Sequence, residues 1–263
     1  MPTFQEVGFL SDELSQFKEN VRGAYPAPFH IADLANNIAM RMLWEMPQVQ
    51  LDEAKAYFVA AFARALQSFQ ALILMAERGA EAETRTLLRS LAETVFLAAG
   101  MIKVPNMVAR FEEDNARHRK AVANRMIELN RAKNPEADVR RFEQELAAIS
   151  AEFPHGPRGI SWSSLAAEVG LVPLYESAYR FTSGDAAHAT LLALNRHMAG
   201  DEQGDLHQFV FEPSAANLSK TFLSAVIGMV SIMGISAESM GQQDFNLEVS
   251  NLLLEIRLHD EHF

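Results

Sequence analysis

The chain has 263 residues, 49% of them apolar, enough to bury a sizeable core in one large domain or two small ones. A formal net charge of −11 argues against a broad surface for nucleic acid or anionic lipid, because such surfaces need clustered Lys and Arg. With no cysteine, disulfides and thiolate zinc sites are excluded.

The opening MPTFQEVGFLSDEL has no basic segment followed by an apolar run, so no secretory signal is expected and the default location is cytoplasmic. SDELSQFKENV predicts a helix with Ser11 as N-cap and Asp12 and Glu13 in the first turn, where the helix dipole favours acids. Pro26 and Pro28 break it. HIADLANNIAMRMLWEM predicts a second helix, stopped near Pro47. Asp52 is placed to cap a long third helix ending at Gly79, and a fourth runs from about Ala82 to Ile102, ahead of Pro105. The third and fourth are apolar on several faces, as central helices of a bundle are.

From Asn106 the chain becomes strongly charged but keeps Val108, Phe111, Val122, Met126 and Leu129 as apolar positions. Asn134 and Pro135 predict a turn, and EADVRRFEQELAAISAEF returns. A protruding helical hairpin over 106–153 is expected, its charges forming a solvated face. FPHGPRGIS is a loop, WSSLAAEVG a short helix and PLYESAYRFTS a longer one. In SGDAAHAT, Gly184 ends that helix and Asp185 caps the next, which continues through LLALNRHM. GDEQGDLHQFVFEPS is too rich in Gly, Asp and aromatic residues to be helical and predicts a long loop or a brief hairpin.

The stretch from Thr221 to Ala237 carries no charge. It falls short of the roughly 20 residues that span a bilayer, and Ser224, Gly228 and Ser231 stand at helical spacing. A buried central helix, open to close approach by another, is the reading adopted. A last helix, FNLEVSNLLLEIRLHD, follows. There is no repeat at solenoid period. The expected fold is all-α: one domain over residues 1–263, a multi-helix bundle with long helices and the charged hairpin.

Two polar features stand out. Tyr175, Tyr179 and Ser183 are spaced by four and share a helix face. His188 falls in the first turn of the following helix, where the dipole disfavours a second positive charge and keeps the imidazole neutral near pH 7. Asn195 lies two turns further on the same side. The corner offers His188, Arg180 and Tyr179 as catalytic candidates and Ser183, Asp185 and Asn195 as ligand-binding candidates. Its bland reading is a cap at Asp185 and a buried His188 holding a carbonyl.

The second feature is the stripe Arg85, Arg89 and Glu93, again spaced by four, on an otherwise apolar helix. A charge buried there without a partner costs several kcal/mol. Arg89 and Glu93 must therefore pair with each other, with other polar groups, or reach solvent. The bland reading is a surface pair, although Arg before Glu is the less favourable order. Both residues are expected to approach the Tyr179–His188 corner and join the catalytic candidates.

LLRSLAETVFLAA and WSSLAAEVGLVPLYESAYRFTSGDAAHAT, within a region from about Leu72 to His197, resemble a bacterial all-α family catalogued as domain of unknown function 5677. The resemblance implies an R-x-x-x-E helix at Arg89 and Glu93 and a polar run at Tyr179, Arg180, Ser183 and His188. It implies an all-α fold and no established activity.

Three functions fit these residues. The first is a binding or regulatory bundle in which Arg89, Glu93, Tyr179 and His188 form a polar network, since no P-loop, G-x-S-x-G, H-E-x-x-H or dinucleotide fingerprint is present. The second is a metal-independent ribonuclease. Arg180 and His188 are a stretched version of the Arg–spacer–His pattern of helical HEPN-type nucleases, with His188 as base on a ribose 2′-OH and Arg180 stabilising the phosphorane. The net charge counts against it, although a dimer can place two small basic sites in one cleft. The third is a metal enzyme with Glu93, Asp185, His188 and His197 as ligands, but the Glu-x-x-His signature of di-iron bundles is missing, and HDEH at the C-terminus reads as a frayed tail. The binding module ranks first and no metal site is assigned. No cofactor is specified. The expected partners are a second copy of the chain and a small molecule or RNA, not a membrane.

Overall fold

Asp52 begins α4 (Glu53–Glu77) as its position predicts: its carboxylate accepts a hydrogen bond from the Lys55 amide at 2.8 Å. The helix ends in a turn at Gly79, where φ is +70°. The chain goes straight on into α5 (Glu81–Lys103), which packs along α4 as the second arm of a helical hairpin. The turn is tightly covered: a Cβ on Gly79 would lie 2.5 Å from the Pro213 Cβ and 2.7 Å from the Phe17 ring.

The structure, a computed structural model, describes residues 2–46, 51–180, 182, 184, 190–200 and 206–259. Over these it is all-α, with one small β-hairpin. The charge-free stretch near the C-terminus lies inside α11 (Leu218–Ser239), which packs against α5. Ser224 and Gly228 are buried, and a methyl group at Gly228 would make ordinary contact with Leu174 at 3.7 Å and Val95 at 3.8 Å. Both α4 and α11 are long and apolar enough to cross a membrane, but half and two-thirds of their most apolar windows are buried inside this fold.

Around this centre lie α3 (Pro26–Trp44) and α12 (Asn246–Leu258). Pro26 starts α3, at a position where its missing N–H leaves no bond unmade, so the helix begins four residues before the predicted His30. Phe29 of α3 meets Phe222 of α11 edge-on at 4.9 Å, both fully buried. Two short segments precede it. In α1 (Phe4–Val7), Thr3 and Glu6 form a reciprocal capping box. The next helix, α2 (Leu14–Ala24), starts later than predicted because Ser11 is buried and its hydroxyl donates to the Pro2 carbonyl while accepting from the Glu13 amide.

The charged segment forms α6 (Met107–Lys133) and α7 (Arg140–Glu152), packed on each other. Of the five apolar positions on α6, Val108 and Phe111 pack against the core, with Phe111 edge-on to Tyr57 at 5.8 Å. Val122, Met126 and Leu129 are exposed. Sequence reasoning missed Asp114, which is nearly buried on α6: its carboxylate accepts from the Ile160 amide at 3.0 Å and from Arg117, and so pins the loop before α8 (Trp162–Glu168).

Beyond α8 the structure departs from the sequence reading. α9 (Val172–Leu174) leads into a π-helical segment over Tyr175–Arg180 instead of a continuous α-helix. The helix that carries Asn195 is α10 (Leu191–Asn195), capped by the Thr190 side chain, which accepts from the Ala193 amide at 3.1 Å. Thr190 has extended backbone (φ −95°, ψ 165°), so no helix runs from Asp185 through to Asn195. After Asn195 the chain turns into β1 (Met198–Gly200), which pairs antiparallel with β2 (Leu206–Phe209), the brief hairpin of the two alternatives.

Candidate functional site

The polar stripe of α5 meets the π-helical segment. Arg89 Nη2 donates to the Tyr179 hydroxyl at 2.8 Å, and the guanidinium carbon stands 4.2 Å from the centre of the same ring. On its other side, Arg89 Nε donates to Glu93 Oε1 at 3.3 Å. Tyr175 stacks on Tyr179 with ring centres 5.1 Å apart and lies 6.3 Å from Phe96 of α5. The Arg89 side chain is 18% exposed and that of Glu93 is 31% exposed. This pair is therefore half-buried and extended by an aromatic partner, not the isolated surface pair of the bland reading.

Burial raises the pKa of the Tyr179 phenol above its ordinary value. The Arg89 charge opposes this, while Glu93 and Tyr175 add to it. Tyr179 is thus a neutral phenol at physiological pH. It is suited to hydrogen bonding and unsuited to the role of a base.

The other predicted residues divide. Arg180 does not belong to the Arg89 network: its guanidinium lies 3.3 Å from Glu176, one turn back, and 71% of the side chain is exposed. Asn195 is exposed at the end of α10. Ser183, Asp185 and His188 lie outside the described residues, as do the last residues of the HDEH tail. Of the four residues weighed as metal ligands, Glu93 is bonded to Arg89, and His197 is engaged in the hairpin. There its Nδ1 lies 3.1 Å from the Val210 carbonyl and its ring stacks near Phe209. Among the described residues no three His, Asp or Glu side chains come together as a metal site.

Arg85, one turn before Arg89, and Leu88 form a wall of a cavity of about 420 Å³. The π-helical segment contributes Ser177 to it, and Thr182 follows just beyond. Asn217 and the first turns of α11 contribute Lys220, Thr221, Leu223 and Ser224. No described lining residue is a carboxylate or histidine. The Arg89–Glu93–Tyr179 network does not line the cavity. It fixes the segment that carries Ser177 against the helix that carries Arg85. Sequence reasoning singled out Arg85 but missed Lys220 and Asn217. The available signal was an Asn followed by one cation immediately before a charge-free helical run.

A second cluster abuts this wall. Glu81, the first residue of α5, accepts from the Ser214 hydroxyl at 2.8 Å and from the Asn217 amide at 2.5 Å, with Arg196 3.8 Å away. An acid in the first turn of a helix is favoured by the dipole, and here it also ties the start of α5 to the segment entering α11.

No curated protein and no solved structure matches the chain. Residues 55–205 match the family of unknown function DUF5677. That span includes the whole Arg89–Glu93–Tyr179 network and the Arg85, Ser177 and Thr182 side of the cavity, and covers more than half of the 263 residues. The chain belongs to the DUF5677 family.

Proposed function

We propose that the protein is a binding module whose ligand site is the cavity between α5, the π-helical segment and α11. The observation that carries this reading is the cavity itself. Its volume of about 420 Å³ suits a small molecule, and polar groups from three separated segments converge on walls that also include Leu88 and Leu223. The π-helical wall adds support, because such turns recur at functional sites. The described lining residues include no carboxylate and no histidine, the side chains that most often serve as general acids and bases. Recognition, rather than acid–base chemistry, is what this set of side chains does best. The Arg89–Tyr179 contact serves it by holding the wall in place.

Fragment screening by NMR on isotopically labelled protein tests the reading. Bound fragments should shift resonances of Ser177, Thr182 and Lys220, and Ser177→Trp, a change at the exposed rim, should abolish those shifts with the fold intact. Fragments that bind only elsewhere, or that ignore Ser177→Trp, would remove the basis for the proposal.

A further inference from the structure

We infer that the cavity takes a small flat heterocycle with amino or lactam N–H groups on its edge, of the kind found in nucleobases. This rests on the binding reading above and adds the chemical class of the ligand. Three hydroxyl side chains on α11 are buried: Thr221, Ser224 and Ser236. Thr221 donates to the Asn217 carbonyl at 2.8 Å and Ser236 to Gln242 Oε1 at 2.7 Å. Ser224 is 6% exposed, lines the cavity and hydrogen-bonds to no described residue. Bonding back along the helix, as Ser231 does to the Ile227 carbonyl at 2.8 Å, is open to it and not taken. The Ser68 oxygen is sealed in without a partner; that of Ser224 is not sealed, and the space beside it is the cavity. A buried hydroxyl left over in this way is satisfied by what enters the cavity.

Two further hydroxyls set the direction of the bonds. Thr182 donates its proton to the Ala178 carbonyl at 2.5 Å, as Thr221 does to that of Asn217. With their protons committed, both oxygens can only accept a further hydrogen bond. Ser224, with its proton uncommitted, can donate as well. Thr221 and Ser224 stand three residues apart on α11 and share a face, while Thr182 comes from the chain just beyond the π-helical segment. A ligand between them meets two acceptors and one hydroxyl able to donate.

The apolar lining specifies the body of the ligand. Leu88 comes from α5 and Leu223 from α11. A polyol carries hydroxyls over its whole surface and would press some of them, unpaired, against these leucines. A flat heterocycle confines its polar atoms to the edge and offers two apolar faces, so it suits the hydroxyls and the leucines together. The edges of guanine, adenine and cytosine carry N–H donors beside a ring or carbonyl acceptor. That pattern matches two accepting threonines and a serine that donates.

Titration calorimetry and NMR on the full chain test this with five probes. Three carry an amino group on the ring: 9-methylguanine, 9-methyladenine and 1-methylcytosine. The fourth, 9-methylpurine, keeps the ring but has no N–H donor, and the fifth, myo-inositol, is a polyol. At least one amino base should bind about tenfold or more tighter than 9-methylpurine and shift resonances of Ser177, Thr182 and Lys220, and myo-inositol should not bind. Ser224→Ala and Thr221→Val, which nearly keep the side-chain size, should each weaken that binding about tenfold, while Ser231→Ala, outside the cavity lining, should leave it unchanged. Ser224→Ala should also melt no lower than wild type, since no hydrogen bond within the protein is lost; a lower melt would mean that Ser224 is bonded internally and would overturn the inference. Should Thr221→Val fail to fold, Ser224→Ala still decides the matter. The inference also falls if no amino base binds, if 9-methylpurine or myo-inositol binds as well as the best of them, or if binding survives both cavity substitutions in folded protein. Fragments of another class that occupy the cavity while all three bases fail would leave the binding reading standing and reject only the heterocycle; if nothing binds there, both readings fall.

Discussion

Arg89 and Tyr179 stand 90 residues apart in the chain and make two contacts, a 2.8 Å hydrogen bond to the hydroxyl and a 4.2 Å approach to the ring centre. These link α5 to the π-helical segment and so join two walls of the cavity. The two contacts are separable by substitution. Tyr179→Phe removes the hydroxyl and keeps the ring, so it should cost about 1 kcal/mol. Arg89→Met removes both contacts and leaves Glu93 without its cation, so it should cost about 2 kcal/mol. A double-mutant cycle by urea denaturation should give a coupling of at least about 0.5 kcal/mol. Strict additivity would show that the contact is not energetically significant.

Glu93→Ala should destabilise the fold more than Glu112→Ala, by a smaller margin than the sequence suggests. Placed among Leu and Phe, Glu93 reads as fully buried, and losing a buried ion-pair partner costs about 3 kcal/mol. Its side chain is in fact 31% exposed, so solvent screens the pair and about 1 kcal/mol is expected. Glu112 is exposed on α6 and its replacement should cost under about 0.5 kcal/mol. Thermal melts of the two variants compare them directly, and equal shifts would contradict the difference.

What was legible in the sequence was local. The Asp52 cap, the Gly79 stop and the charge-free run of α11 each depend on a few adjacent residues, and each lies where those residues place it. The same holds for the Arg89–Glu93 spacing. The π-helical segment was not legible, because YESAYR has ordinary helical letters and its widened turn coincides with tertiary contacts to Arg89 and Phe96. LLALNRHM also reads as a helix throughout, but pairing of Met198 with Phe209 takes its end into a strand. The cavity was beyond reach for a related reason. Arg85, Ser177 and Lys220 come from three distant segments, and only the packing of α5 against α11 brings them together.

Gly79→Ala tests the turn that sets α4 against α5. At φ +70° an alanine is strained, and its methyl group would press into Pro213 and the Phe17 ring. Neither neighbour gives way easily, since one is a rigid ring at Cβ and the other is packed against the core. A loss of about 3 kcal/mol or more is expected, against about 1–2 kcal/mol for Gly156→Ala, which shares the backbone strain at a similar φ of +81° but has open space around it. The difference between the two melts isolates the steric part. If Gly156→Ala is as damaging as Gly79→Ala, the strain of the backbone dominates and the close cover at Gly79 contributes nothing.

The titration of Tyr179 reports on the site without a ligand. Burial, opposed by Arg89 and reinforced by Glu93 and Tyr175, raises its phenol above the ordinary value of 10.0. The folded protein then holds the proton at pH values where the unfolded chain has released it. Between about pH 10 and the folded value the unfolded state therefore binds fewer protons, and stability falls as pH rises through that window. Below the unfolded value the contribution is fully present. Tyr179→Phe lacks this group, so the stability gap between wild type and variant should narrow above about pH 10. Ultraviolet absorbance of tyrosinate, taken as the difference between wild type and Tyr179→Phe, isolates one of the four tyrosines. Glu93→Gln should lower the midpoint, because a raising charge is gone, and Arg89→Met should lift it further, because the lowering charge is gone. Shifts of the same sign in both variants would mean that the Arg89–Glu93–Tyr179 network is not assembled in solution as its geometry requires.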